Sequence, residues 1–160
     1  MSGFITAGRK LVPHSDIAFV EPFDPAANPQ FHPSRPFAGR LVLRNRDSIL
    51  IDQRPEAFAS ANAYVWLAED DVALNPAQAF QVEIFVAEER FRTARPYAAR
   101  LRWRDQDGND QSKLLVTGPE QVFAALMRPA PTASAESQSA PRQQARRRSA
   151  RRAAANSLHP

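Results

Sequence analysis

Cysteine is absent from the 160 residues, which removes disulfides, thiolate metal sites and cysteine nucleophiles by inventory. Glycine is scarce, and five residues of it form no glycine-rich phosphate loop. The histidines, His14, His32 and His159, lie far apart with no His-x-x-x-His spacing, so no zinc set can be written. Ser48 and Ser112 lack a neighbouring histidine and a nucleophile-elbow context. No stretch approaches the roughly 20 apolar residues of a membrane helix, and the opening MSGFITAGRK has no long apolar run behind a basic start. These absences set the expectation of a cytoplasmic protein without membrane span, metal, cofactor or catalytic activity.

What the chain does have is aromatic mass and an uneven charge. Ten Phe, two Trp and two Tyr support a packed interior, because each large aromatic buries on the order of 150–250 Å². Residues 129–160 hold six of the 21 basic side chains and one of the 17 acidic ones, which leaves residues 1–128 with 15 and 16 and a net charge of −1. The high isoelectric point therefore belongs to the last 32 residues. Their first part, PAPTASAESQSAP, has a linker's composition, and QQARRRSARRAAA after it lacks an apolar face with which to dock. The expected organisation is one folded domain over 1–128 and a disordered arginine-rich tail over 129–160.

An internal repeat organises the domain. PFAGRLVLR at 36–44 returns as PYAARLRWR at 96–104. Val20, Glu21 and Phe23 correspond upstream to Val82, Glu83 and Phe85, and Phe31 and Arg35 to Phe91 and Arg95. Downstream, Ser48, Leu50, Pro55 and Glu56 match Ser112, Leu114, Pro119 and Glu120, and a Phe-Ala pair recurs at 58 and 123. Biased composition accounts for shared residue types but not for their ordered spacing.

Both copies give the same succession of elements. Residues 17–23 and 80–86 are short aromatic and β-branched runs, a strand signal. In the next strand Leu41 and Leu43 alternate with Arg40, Val42 and Arg44, and Leu101 and Trp103 alternate with Arg100, Arg102 and Arg104, which predicts one buried face in each. Asn45-Arg46-Asp47 and the longer 105–110 segment, with Asp107-Gly108, are turns back into strands at 48–51 and 113–117. Pro55-Glu56 and Pro119-Glu120 open short helices that bury Phe58 and Phe123. The expected fold is α+β: two tandem β-β-β-α repeats, at about 11–60 and 73–126, paired about a pseudo-twofold axis, with 60–76 as a connector. This order resembles the tandem repeats of the Pur and Whirly single-strand-binding proteins over about 11–125, with shorter units. The likeness is one of topology and carries over no functional residue.

Arginine supplies the candidate site. Arg142, Arg146, Arg147, Arg148, Arg151 and Arg152 fall within eleven residues, and guanidinium groups pair bidentately with phosphates and release counterions from nucleic acid. Arg100, Arg102 and Arg104 recur every second residue, about 6–7 Å apart along a strand, close to the spacing of phosphates in an extended single strand; Arg40, Arg44 and Arg46 form the related row. The plainer alternative is a solvated strand face paired with Glu21 and Glu83. Those two glutamates suit ion pairs better than an acid-base site, and Asp105, Asp107 and Asp110 suit a polar hairpin better than a calcium loop. Two functions follow: a nucleic-acid-binding accessory or regulatory protein, contacting DNA or RNA phosphates, or a protein-interaction module that forms homo-oligomers through a sheet edge while its tail binds an acidic partner.

Overall fold

The computed structural model describes residues 3–27, 29–30, 33–88, 90 and 93–128. The tail expectation and the repeat pair Phe31 and Phe91 lie outside them. In chain order the elements are β1 (Phe4–Ala7), β2 (Lys10–Pro13), β3 (Ile17–Pro22), β4 (Gly39–Leu43), β5 (Ser48–Ile51), α1 (Pro55–Asn62), β6 (Val65–Leu67), β7 (Val72–Leu74), β8 (Gln81–Ile84), β9 (Ala99–Arg104), β10 (Asp110–Leu115) and α2 (Pro119–Met127). The protein is α+β and mostly sheet: a β1-β2 hairpin, a five-stranded sheet ordered β5-β4-β3-β7-β6 and a three-stranded sheet ordered β10-β9-β8. Among the described residues no helix is long and apolar enough to cross a membrane.

Pairing follows the spacing of the repeated segments. Val20 lies opposite Leu41 and Glu21 opposite Arg40, as Val82 lies opposite Leu101 and Glu83 opposite Arg100. Gly39 pairs with Ile51 and Ala99 with Leu115. Gly39 cannot be Ala like its counterpart, because a Cβ there would sit 2.5 Å from the Gln53 carbonyl oxygen. Gly108 supplies the positive φ of the second hairpin, at 83°, and proline opens both helices.

Residues 60–76 are not a mere connector. Val72, Ala73 and Leu74 are fully buried, and β7 adds to the edge of β3 with Phe19 opposite Leu74. Asp70 is a fixed point: its carboxylate accepts the Val116 and Thr117 amides at 2.7 and 3.0 Å and the Thr117 hydroxyl at 2.6 Å. Asn75, also buried, donates to the carbonyls of His14 and Ile17. Buried polar groups so satisfied fix the register of what they join.

The two sheets stack by unlike faces. One face of the five-stranded sheet, with Val20, Leu41 and Ile51, is covered by Phe58 and Ala59 of α1 and by Ala7 and Val12 of the first hairpin. Its other face, with Phe19, Val42, Leu67 and Leu74, packs on Leu101, Trp103, Leu115 and Val122. Leu101 and Val122 belong to the helix side of the three-stranded sheet, whereas Phe19 and Val42 lie opposite the helix side of the other. A twofold axis would bring equivalent faces together, so this packing is head-to-tail. The expectation of one buried face thus holds for β9 but not for β4, where both Leu41 and Val42 are buried.

The expected burial of Phe123 is also corrected. In α1 the residue three after the proline is Phe58, 1% exposed, and in α2 it is Val122, fully buried. Phe123 stands one position further, about 100° around a helix, and is 58% exposed. Phe58→Ala is expected to cost about 3–5 kcal/mol of unfolding free energy in urea, and Phe123→Ala less than about 0.5 kcal/mol. Equal losses would contradict this helix register.

Candidate functional site

Head-to-tail stacking decides which arginines face solvent. The β4 row points at the second sheet and is drawn into the junction. Arg40 Nε donates to Glu21 at 2.6 Å, and Lys113 Nζ reaches the other Glu21 oxygen at 2.7 Å while lying 4.9 Å from the Phe19 ring centre. Arg44 Nη2 donates to the Arg104 carbonyl at 3.2 Å, and Arg46 Nη1 to the Ser112 carbonyl at 2.6 Å. Arg44 and Arg46 therefore tie the two sheets together, and Arg40 takes part only through Glu21, which it shares with Lys113.

The β9 row points outward. Arg100 and Arg104 are exposed and Arg102 half-buried, between buried Ala99, Leu101 and Trp103. The row is partly neutralised. Arg102 bonds Glu83 at 2.9 Å and Asp110 at 3.3 Å, and Arg104 Nε bonds Asp110 at 3.3 Å. Arg100 instead lies 5.3 Å from the centre of the Phe85 ring. The repeat-related glutamates thus have different fates, since Glu21 is held at the junction by Arg40 and Lys113 while Glu83 sits on the open face with Arg102. Hydrogen bonding to Glu83, then its charge and that of Asp110, raises the Arg102 pKa above its ordinary value.

A cavity of about 330 Å³ lies between the five-stranded and three-stranded sheets at one end of β9. It gathers Arg44, Arg102 and Arg104 with Asp110, and Phe80 and Trp103 form its apolar wall, their rings edge-on at 6.0 Å. The Trp103 indole donates to the Arg44 carbonyl at 2.9 Å. Sequence alone picked out these three arginines, but as members of separate rows. Phe80, Gln78 and Gln81, which also line the cavity, were missed as site residues, and only their place just before and within a predicted strand pointed to them. Arg40 and Arg100 do not line it. The six tail arginines lie outside the described residues.

The acidic turn is occupied by its own hairpin. Asp105 accepts the Asp107 and Asn109 amides at 3.0 and 2.8 Å and the side chains of Asn109 and Gln111. Desolvation pushes its carboxyl up, but these donors outweigh it and the pKa falls below the ordinary value. Among the described residues no group of three or more histidines and acids could hold a metal ion. Comparison with known proteins gave no matching family model, no similar curated protein and no similar solved structure.

Glu21 makes a pH prediction. Burial pushes its carboxyl up, but Lys113 and then Arg40 more than offset this, and the folded pKa lies below the ordinary value of 4.5. A depressed carboxylate contributes stability that is present above the unfolded-state pKa and lost as pH falls through the folded one. Glu21→Gln should therefore be less stable than the natural chain at pH 7, with the gap narrowing as pH drops below about 4.5. Thermal unfolding from pH 7 to pH 3 reads this; a gap that stays constant or widens would refute it.

Proposed function

We propose that the chain is a non-catalytic nucleic-acid-binding accessory or regulatory protein that holds phosphates through the outward arginines of β9 and the arginines of its tail. One observation carries this reading. The five-stranded sheet has both faces covered, while the outer face of the three-stranded sheet displays Arg100, Arg102 and Arg104, against which Glu83 and Asp110 set two negative charges. The tail adds six arginines and one glutamate. These charges would raise the local concentration of positive charge around a strand already touching the sheet. Glu21, Glu83 and Asp110 are spent on arginine and lysine and Asp105 on its own hairpin, which favours binding over catalysis. The duplication of a β-β-β-α unit, inferred from the ordered sequence matches and their common register, explains why β4 and β9 carry related arginines. On this reading the protein works in the cytoplasm, where nucleic acid is available.

A second reading has its own observation. β8 ends its sheet, and Ile84 and Val86 at that edge, like Phe123 and Met127 on α2, are largely exposed. An open edge beside apolar side chains suits strand addition by another protein or a second copy.

Binding of a fluorescent single-stranded oligonucleotide by the full-length chain, followed by anisotropy from 50 to 300 mM salt, tests the first reading. Log affinity should fall linearly with log salt, with a slope of about −0.7 per phosphate contacted. Replacing Arg100, Arg102 and Arg104 by Gln, or the six tail arginines by Gln, should each flatten the slope. Salt-independent binding, or none, would end this reading. Sedimentation addresses the other: concentration-dependent self-association abolished by Ile84→Lys supports it, and a monomer at all concentrations removes homo-oligomerisation.

A further inference from the structure

We propose that the cavity between Arg44, Arg102 and Arg104 is a phosphate-binding site. This deepens the nucleic-acid reading, on which it rests, by naming the group bound and the place. Three arginines and one aspartate, Asp110, line the cavity. Counting Glu83, which bonds Arg102 from the side, the surplus is one positive charge, the complement of a single phosphodiester. Two other cavities lack this surplus: Arg100 shares one with Glu88, and Arg128 shares another with Glu69.

The existing partners of these arginines are replaceable. Asp110 holds Arg102 and Arg104 at 3.3 Å each, longer than the roughly 2.7–2.9 Å of a strong charge-assisted bond. It has two oxygens to offer, both engaged at that distance. A phosphodiester presents two charged oxygens, and a terminal phosphate three, in a geometry that guanidinium forks match bidentately. Arg44 adds a stronger indication. Its Nη2 is spent on the Arg104 carbonyl, but its Nε is buried and, among the described residues, has no hydrogen-bond partner. A buried donor left unpaired is costly, so an arrangement that gives Arg44 an acceptor is favoured.

Size and walls limit the occupant. About 330 Å³ is at the lower end of small-ligand pockets, enough for a phosphate with its sugar and too small for a duplex. Phe80 offers that sugar or its base an apolar surface, and Gln78 and Gln81 line the same cavity. The phosphate has two sources, the backbone of a single strand or a free nucleotide, and both present the same oxygens.

The test follows the arginine Nε–Hε resonances of the full-length chain by NMR in 50 mM salt, with three probes: inorganic phosphate, adenosine monophosphate and a twelve-residue oligothymidylate. Saturable shifts of Arg44 and Arg104 are expected. Arg104→Gln and, separately, Arg44→Gln should each weaken the responding probe about tenfold, as loss of a charged hydrogen bond does. Arg9→Gln, an equal loss of charge in the β1-β2 turn, should not. Arg104 is the safer variant because its side chain is 77% exposed. If the oligonucleotide binds but these substitutions weaken it no more than Arg9→Gln, the cavity proposal is overturned and the nucleic-acid reading survives. If only phosphate or the nucleotide binds, and Arg104→Gln abolishes it, the cavity proposal stands and the nucleic-acid reading fails. No response to any probe overturns both.

Discussion

The structure depends on one contact surface, the burial of Phe19, Val42 and Leu74 against Leu101, Trp103 and Val122. Neither sheet covers this apolar area alone. Trp103 is central to it: its ring meets Phe19 edge-on at 5.6 Å and Phe80 at 6.0 Å, and its indole nitrogen is satisfied by the Arg44 carbonyl. Aromatic burial of this kind supplies non-directional stabilisation, while the indole bond fixes orientation. Asp70 closes the same junction from the other end, clamping the Val116–Thr117 backbone to the β6-β7 turn.

Everything about the distribution of charge follows from that choice of faces. Related strands carry related arginines, but stacking helix side against opposite side makes the two rows unequal. Arg40 and Lys113 become the counter-ions of a Glu21 that burial would otherwise penalise. Such a pair is valuable chiefly because breaking it leaves a charge unpaired, not because the pair outdoes an apolar contact. Glu83, Arg100, Arg102 and Arg104 remain on the open face, where ion pairs are weak and easily exchanged. The same side-chain types therefore serve as mortar beside β4 and as a displayed surface on β9.

Much of the local structure was legible in the sequence. The alternation around Leu101 marked a strand with one buried face, Pro55 and Pro119 marked the helix starts, and Asp107-Gly108 marked a turn. Three features were not legible, each for a physical reason. Val42 occupies an arginine-row position, and alternation cannot report that a second sheet will cover it. Tyr64, Val65, Trp66 and Leu67 are a strand signal within the stretch expected as a connector, and sequence does not reveal that Asp70 will receive three hydrogen bonds. The Phe-Ala match at 58 and 123 is one residue out of helical register, so similarity of letters placed Phe123 on the wrong side. The cavity shares this limit: Arg44 and Arg104 are aligned in the repeat, yet only the stacking order brings both to one hollow.

The most direct test of the account is an aromatic NOE experiment on the full-length chain, with Trp103 selectively labelled. Cross-peaks from the Trp103 indole to the Phe19 and Phe80 rings are predicted, with none to Phe58 of α1, on the far side of the five-stranded sheet. Cross-peaks from Trp103 to Phe58, or none to Phe19, would show that the sheets meet by other faces, and the assignment of the outward arginines would fall with them.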